Sequence, residues 1–330
     1  MKILAGTSKG LFEIERGSAN LILNAKGIRE VVRLDRDIFV GTGEGLFVSK
    51  DFGAHWSGPE LVEYTVWQVR RAVDGILYAG TYPAALFKSS DGGDTWKKLE
   101  SFSQVVAEQG WCIPVDPPVA SQARAIVADA DNADVLWVGV EVGGIMYSDD
   151  AGVSWTFTAP GGNPDLHMIF SHPTKHGVLF ASTGYGRLDG IAEMVEGNAG
   201  VYRSQDFGNN WDYVWNGVTP RYSRPMCIDS RDPFSLTVAS APTAFSSFKD
   251  EDGAQAMLYR SDNEGRDWRS LCDEKHSPSA ANFHGLTVDP REIGGVLVGT
   301  DTGEVWSVSK EATWTLVAEG MPAVLSIFAG

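Results

Sequence analysis

The chain has 330 residues, of which 43% are hydrophobic, and its 27 Lys+Arg against 43 Asp+Glu leave a net charge of −16. That length suits two ordinary domains or one large repetitive one, and the apolar content supports a substantial core, which excludes disorder and collagen-like order. With no dense basic run, the acidic balance also excludes a surface built to neutralise nucleic-acid phosphates or to lie on an anionic membrane.

In chain order, the first predicted element is a strand pair, ILAGTSKGLFEI (residues 3 to 14), with period-2 apolar alternation bent at a small-residue signature. Met1 leads almost directly into it, without a signal-peptide pattern, and no apolar run approaches 18 residues, so a cytoplasmic protein is expected. A strand GIREVVRLD and a second signature pair, IFVGTGEGLFVS, then run into the box SKDFGAHW (49 to 56). The same order of parts returns four times: TVWQVRRAV, ILYAGTYPAALFKS, SSDGGDTW; then ARAIVADAD, VLWVGVEVGGIMYS, SDDAGVSW; then LHMIFSHP, VLFAST, SQDFGNNW; then RPMCIDSRDP, LTVASA, SDNEGRDW. A last round, FHGLTVDP and VLVGTDTGEVWSVS, ends in a shortened KEATW, and the chain finishes on AVLSIFAG (323 to 330).

The boxes fit S-x-D-x-G-x-x-W, with Asn263 replacing Asp in the fifth, and their tryptophans at 56, 96, 155, 211 and 268 are 40, 59, 56 and 57 residues apart. One repeat of that length made of short strands is a four-stranded propeller blade. Counting the signatures gives seven blades, so the expectation is an all-β seven-bladed propeller spanning residues 1 to 330. The first blade lacks an inner strand, and AVLSIFAG is predicted to supply it and close the ring, which removes an exposed sheet edge.

The five boxes resemble those of the Asp-box (BNR-repeat) propellers of the sialidase-like superfamily. The resemblance covers essentially the whole chain and implies the propeller fold. It leaves the activity open, because the repeat is shared by sialidases, xyloglucan-degrading glycosidases, sorting-receptor ectodomains and photosystem assembly factors. It also implies that the boxes lie away from the ligand, so Asp51, Asp91, Asp150 and Asp206 are expected to shape hairpins between the third and fourth strands. Sialidases of this superfamily typically carry an Arg-Ile-Pro type motif, a Tyr/Glu pair and six blades, a pattern this chain departs from; the xyloglucanases pair two propellers, and one is counted here.

Other motifs are absent. Cys112, Cys227 and Cys272 share no close spacing, so neither a disulfide framework nor a thiolate zinc site is expected. P-loop, HExxH and CxxC motifs are missing, and DADNAD (129 to 134) reads as a solvated turn between strands, without the glycine of a calcium loop.

A ligand is expected at one mouth of the central channel. The longest irregular segments, 101 to 122, 182 to 200 and 240 to 256, belong to that face. Aligned on their trailing turns, the inner strands place Arg124, His167, Arg224 and His284 at one position, five residues before Asp129, His172, Asp229 and Asp289, and a looser alignment adds Arg29 and Trp67. Three arginines converging in an acidic protein call for an anion or nearby carboxylates, so a small anionic or glycan-like ligand is expected, with Tyr185 and Arg187 folding over it. His167 and His284 are the candidate catalytic acid/base residues of a hydrolase or lyase, or the ligands of a divalent metal in the channel, and are expected to share one cavity. The alternative is a non-catalytic scaffold docking a protein partner. His172 before Pro173 reads as a structural stand-in for a turn Asp, and His55 as exposed.

Overall fold

Seven four-stranded antiparallel sheets make up the computed structural model, which describes residues 1–184 and 196–330. In each blade the chain runs outward from an inner strand A through B and C to an outer strand D. Blade 4, for instance, is Gln122–Ala128, Leu136–Glu141, Gly144–Ser148 and Thr156–Thr158. The inner strands of blades 2 to 7 are Glu30–Leu34, Thr65–Arg71, Gln122–Ala128, Leu166–Ser171, Tyr222–Asp229 and Phe283–Val288. Blade 1 takes its inner strand, Val324–Ala329, from the C-terminus, which pairs antiparallel with Ile3–Thr7 and closes the ring.

Why these segments make blades follows from their B strands. In VGT-type signatures the glycine lies where the neighbouring blade's inner strand crosses: a Cβ on Gly41 would come 2.6 Å from Val66 O, and one on Gly80 would come 2.5 Å from Ala123 O. Absence of a side chain lets successive sheets close up, and the flanking Val, Leu and Ile residues fill the apolar layers between blades.

The boxes sit on the C–D turns. In each, Ser Oγ accepts from the glycine amide while the Asp carboxylate, or the Asn263 amide oxygen in the fifth, takes the amide four residues on, as with Ser148, Gly152, Asp150 and Ser154. Donors from His55 and from Ser154 hold the Asp51 and Asp150 carboxyls down at about 2. These turns lie at the opposite end of the blades from the A-strand entrances, so the carboxylates serve the hairpins.

The expected long loop 101 to 122 is largely ordered: it holds a helix, Glu100–Gln109, and a short hairpin, Cys112–Ile113 with Val119–Ala120. Phe102 of that helix is buried against Trp155. No helix among the described residues is long and apolar enough to cross a membrane.

Candidate functional site

Each inner strand enters its sheet through an irregular step at the aligned position. Pairing passes from Val66 to Gln68, from Ala123 to Ala125, from Leu166 to Met168 and from Phe283 to Gly285, stepping over Trp67, Arg124, His167 and His284. In blade 6 it passes over Arg224 and Pro225, and in blade 1 over Leu325. Blade 2 does the same just before its strand: Arg29 donates its amide to Gly41 O at 2.7 Å although Glu30 is the residue opposite Gly41. The alignment position is therefore a β-bulge repeated around the ring. A bulge releases one residue from the ladder and re-aims its side chain, here at the channel in every blade but the fifth.

Five of the six aligned residues, Arg29, Trp67, Arg124, Arg224 and His284, line a central cavity of about 400 Å³, with Leu325 as the contribution of blade 1. The Arg29 and Arg124 guanidinium carbons each lie 4.6 Å from the Trp67 ring centre. Trp67 thus braces two cations through its π faces. Arg224 lies over the Tyr222 ring at 5.2 Å and donates to its hydroxyl at 3.3 Å and to Ala244 O at 3.3 Å. Among the described residues only Arg124 of the three has a carboxylate in ion-pair range, Glu141 at 2.6 Å. The Nε atoms of all three arginines are buried without a hydrogen-bond partner.

The concentration of positive charge shows in the titrating groups. Burial and then Arg224, Arg29 and Arg124 push His284 down to about 3. Burial, Arg124 and Arg224 likewise lower Arg29. Burial pushes Tyr222 up to about 12, with Arg224 opposing. His284 also borders a second hollow of about 480 Å³, formed with Lys9, Phe248, Lys249, Asp301 and Pro322, that adjoins the cavity at this mouth.

His167 is placed differently from the expectation. It is wholly buried and absent from the cavity lining; Nδ1 lies 2.6 Å from Ser223 O, and its ring packs on Tyr222 at 4.7 Å. The two histidines do not share a cavity, because at blade 5 the bulge turns the ring sideways into the interface with blade 6. Its neighbours are Glu141 and Asp165, with one oxygen of each and a His167 nitrogen within 4.8 Å of one another. His167 and His284 are thus not brought together around one cavity or in one group of possible metal ligands among the described residues. Tyr185 and Arg187 lie outside the described residues.

Glu141, Asp165, Tyr222 and Gln122 are site residues that the sequence reading did not single out. Gln122, Asp165 and Tyr222 each stand two residues before an aligned ring residue, on the same side of an extended chain, so the alignment already contained them. Glu141 comes from a B strand as the cross-strand partner of Gln122, and no inner-strand alignment could reveal it. The turn readings are met: His172 Nδ1 accepts from the Thr174 and Lys175 amides as Asp129 Oδ1 accepts from Asp131 and Asn132, and His55 is exposed.

No family model matches the chain. Among curated proteins it is similar to a xyloglucanase of Paenibacillus sp, 22% identical over 250 residues that cover 68% of this chain and 22% of that protein. It is also similar to an oligoxyloglucan-reducing end-specific xyloglucanase of Emericella nidulans, 24% identical over 305 residues, 74% of this chain and 34% of the relative. The chain thus spans about a third or less of the length of these relatives. Solved structures with the same fold include a GH74 enzyme of Niastella koreensis (TM-score 0.65, 15% identity, 96% of this chain and 46% of that one). Another is YCF48 bound to D1 peptide (TM-score 0.56, 16% identity, 96% and 83%).

Proposed function

We propose that this protein is a hydrolase acting on a small acidic saccharide or similar organic anion held at the channel mouth, on a propeller of the Asp-box type. The observation that carries this reading is the trio of arginines with buried, unpartnered Nε–H groups facing one cavity. An anionic group supplies the missing acceptors through charge-assisted hydrogen bonds, each worth roughly 1.5–3 kcal/mol. The kinship to named xyloglucanases supports glycosidic-bond hydrolysis, and the arginines favour an acidic over a neutral sugar.

Proton transfer in this reading falls to the carboxylates Asp165 and Glu141, which stand just outside the cavity lining, Glu141 joined to it by its ion pair with Arg124. His284 faces the ligand but, held near 3, is too weak a base for neutral pH until a bound anion offsets the arginines. His167, also out of the cavity, has Nε2 3.3 Å from Asp165 Oδ1. A second reading, a scaffold that captures a peptide by its terminal carboxylate, is favoured by the separation of the two histidines and by a fold neighbour solved with a peptide.

Fluorogenic glycosides of glucuronic, galacturonic and sialic acid, assayed beside xyloglucan oligosaccharides, test the proposal. Turnover of an acidic glycoside is expected, with Arg224→Ala raising KM by about tenfold or more for the loss of one charge-assisted bond. Cleavage of neutral substrates alone overturns the acidic-ligand reading. Binding of a peptide with a free C-terminus, with no glycoside cleaved, replaces the enzyme with the scaffold.

A further inference from the structure

We infer that the ligand of this site is amphipathic: its anionic head is taken by Arg29, Arg124 and Arg224, and an unbranched apolar tail runs from them down the central channel, along the inner strands of blades 5, 6, 7 and 1. The inference rests on the reading that an anion occupies the arginines, and adds what lies at its other end.

Its starting point is the direction of the inner strands. They run away from the entrance at which the aligned positions stand, so the residues that follow those positions line the depth of the channel. Arg224 and His284 lie near the start of Tyr222–Asp229 and Phe283–Val288. Ile228 and Val288 come four residues later, on the order of 12 Å along an extended strand. Beside and below the arginines the cavity wall is formed by Met168 and Phe170 of blade 5, Ile228 of blade 6, Leu286 and Val288 of blade 7, and Leu325 of blade 1. Met168 and Phe170, like Leu286 and Val288, are two residues apart and so face the same side of their strand. All six are only partly buried although they stand inside the propeller. The surface they leave uncovered is turned to the channel, where the apolar part of a ligand gains by covering it.

The polar groups fix the orientation. At the entrance the three arginine Nε–H groups are buried without a partner. Further down, polar side chains of the wall are spent on the protein. Glu30 accepts from Arg70 at 2.7 Å on one carboxylate oxygen and from the Val69 amide at 2.8 Å on the other. Gln68 accepts from the Ile126 amide at 2.9 Å and turns its Nε2 to Met168 Sδ at 4.0 Å. Burial raises the Cys227 thiol above its ordinary range and keeps it uncharged. Among the described residues of blades 5, 6, 7 and 1, Arg224 and His284 are the only ionisable side chains besides Cys227 that line the cavity. A head that needs charged donors is therefore held at the entrance, and the rest of the wall on these blades mainly offers contacts to carbon; the hydroxyls of a polar glycan chain would go unpaired against it. An alkyl chain of about eight carbons, with C–C bonds of about 1.5 Å, is shorter than the strand stretch it would follow.

The test titrates the full-length protein with butyrate, hexanoate and octanoate by calorimetry, with 1-octanol as the uncharged control. Affinity is expected to rise about two- to fourfold per added methylene. Arg224→Ala should weaken every carboxylate by about tenfold or more, and octanol should bind at least about tenfold more weakly than octanoate. Leu286→Asn should flatten the series, costing octanoate about tenfold more than butyrate. Should that variant fail to fold, the series on the unaltered protein decides by itself. Affinity independent of chain length but still lowered by Arg224→Ala overturns the tail and leaves the anion at the arginines standing. Octanol binding as tightly as octanoate, or a steep series indifferent to Arg224→Ala, overturns the proposal equally, because the chain then binds without the head. No carboxylate binding up to about 100 mM removes the anion from the arginines and the tail with it. Given a steep series, a matching gain from methyl to n-octyl β-D-glucuronide assigns the chain to an aglycone, and its absence assigns the chain to the acid itself.

Discussion

At the scale of single residues, the recurring device is the bulge that frees one side chain per blade. What occupies it decides the chemistry: Arg29, Arg124 and Arg224 bring charge, Trp67 braces two of them, and His284 stays neutral among them. His284 carries a pH signature. Its protonated form is disfavoured in the folded protein, with a value near 3 against 6.5 for an unperturbed ring, so the unfolded chain binds the extra proton first. Stability from this group is full above pH 6.5 and is lost as pH falls towards 3, with a slope of at most about 1.4 kcal/mol per pH unit. Chemical denaturation between pH 7 and 4 should show His284→Gln losing less stability on acidification than the parent. Equal slopes would place His284 outside the arginines' influence.

At the scale of the element, the inner strand and its neighbour are held by what is missing from the B strand. Gly80 lies against the backbone of Ala123, one residue before Arg124, so Gly80→Ala must push a whole inner strand and cannot be relieved by a rotamer change. The expected cost is about 1–3 kcal/mol, as for other overpacked sites, read as a lower Tm. Because the strand that moves carries Arg124, ligand affinity should fall with it. Unchanged stability would mean the blades do not need this close approach. The glycine pattern was legible in the sequence as a repeated signature; its purpose was not, because the atom it spares belongs to the next blade.

At the scale of the molecule, closure depends on a strand more than 300 residues distant in sequence from the one it joins. Val324 and Ile327 are buried against blades 7 and 1, and Ile3 pairs with Ala329. Deleting residues 323 to 330 removes the inner strand of blade 1 and bares the ladder edge of Ile3–Thr7. Thermal unfolding should fall by many degrees, or the protein should aggregate; a melting curve like that of the full chain would show that the ring does not need this seam. The deletion also takes Leu325 and Ser326 from the cavity wall, so ligand binding should weaken even in any folded fraction.

Blade number, the place of the boxes, the closing strand and the bulged position of each inner strand are all legible in the residues alone. These are local or periodic properties: strand alternation, turn chemistry and repeat length are written in neighbouring residues, and a repeat read several times corrects itself. Which of those side chains meet depends on contacts between blades. Equivalent positions in His167 and His284 carry the same residue, yet one ring lines the cavity and the other turns into the interface, because the blade beside His167 offers it Ser223 O and the face of Tyr222. Glu141 joins the site from a different strand, through cross-strand pairing with Gln122 and an ion pair with Arg124. Such partnerships are set by distances between segments far apart in the chain, and repeat alignment, which compares each blade with the others, carries no information about how one blade touches the next.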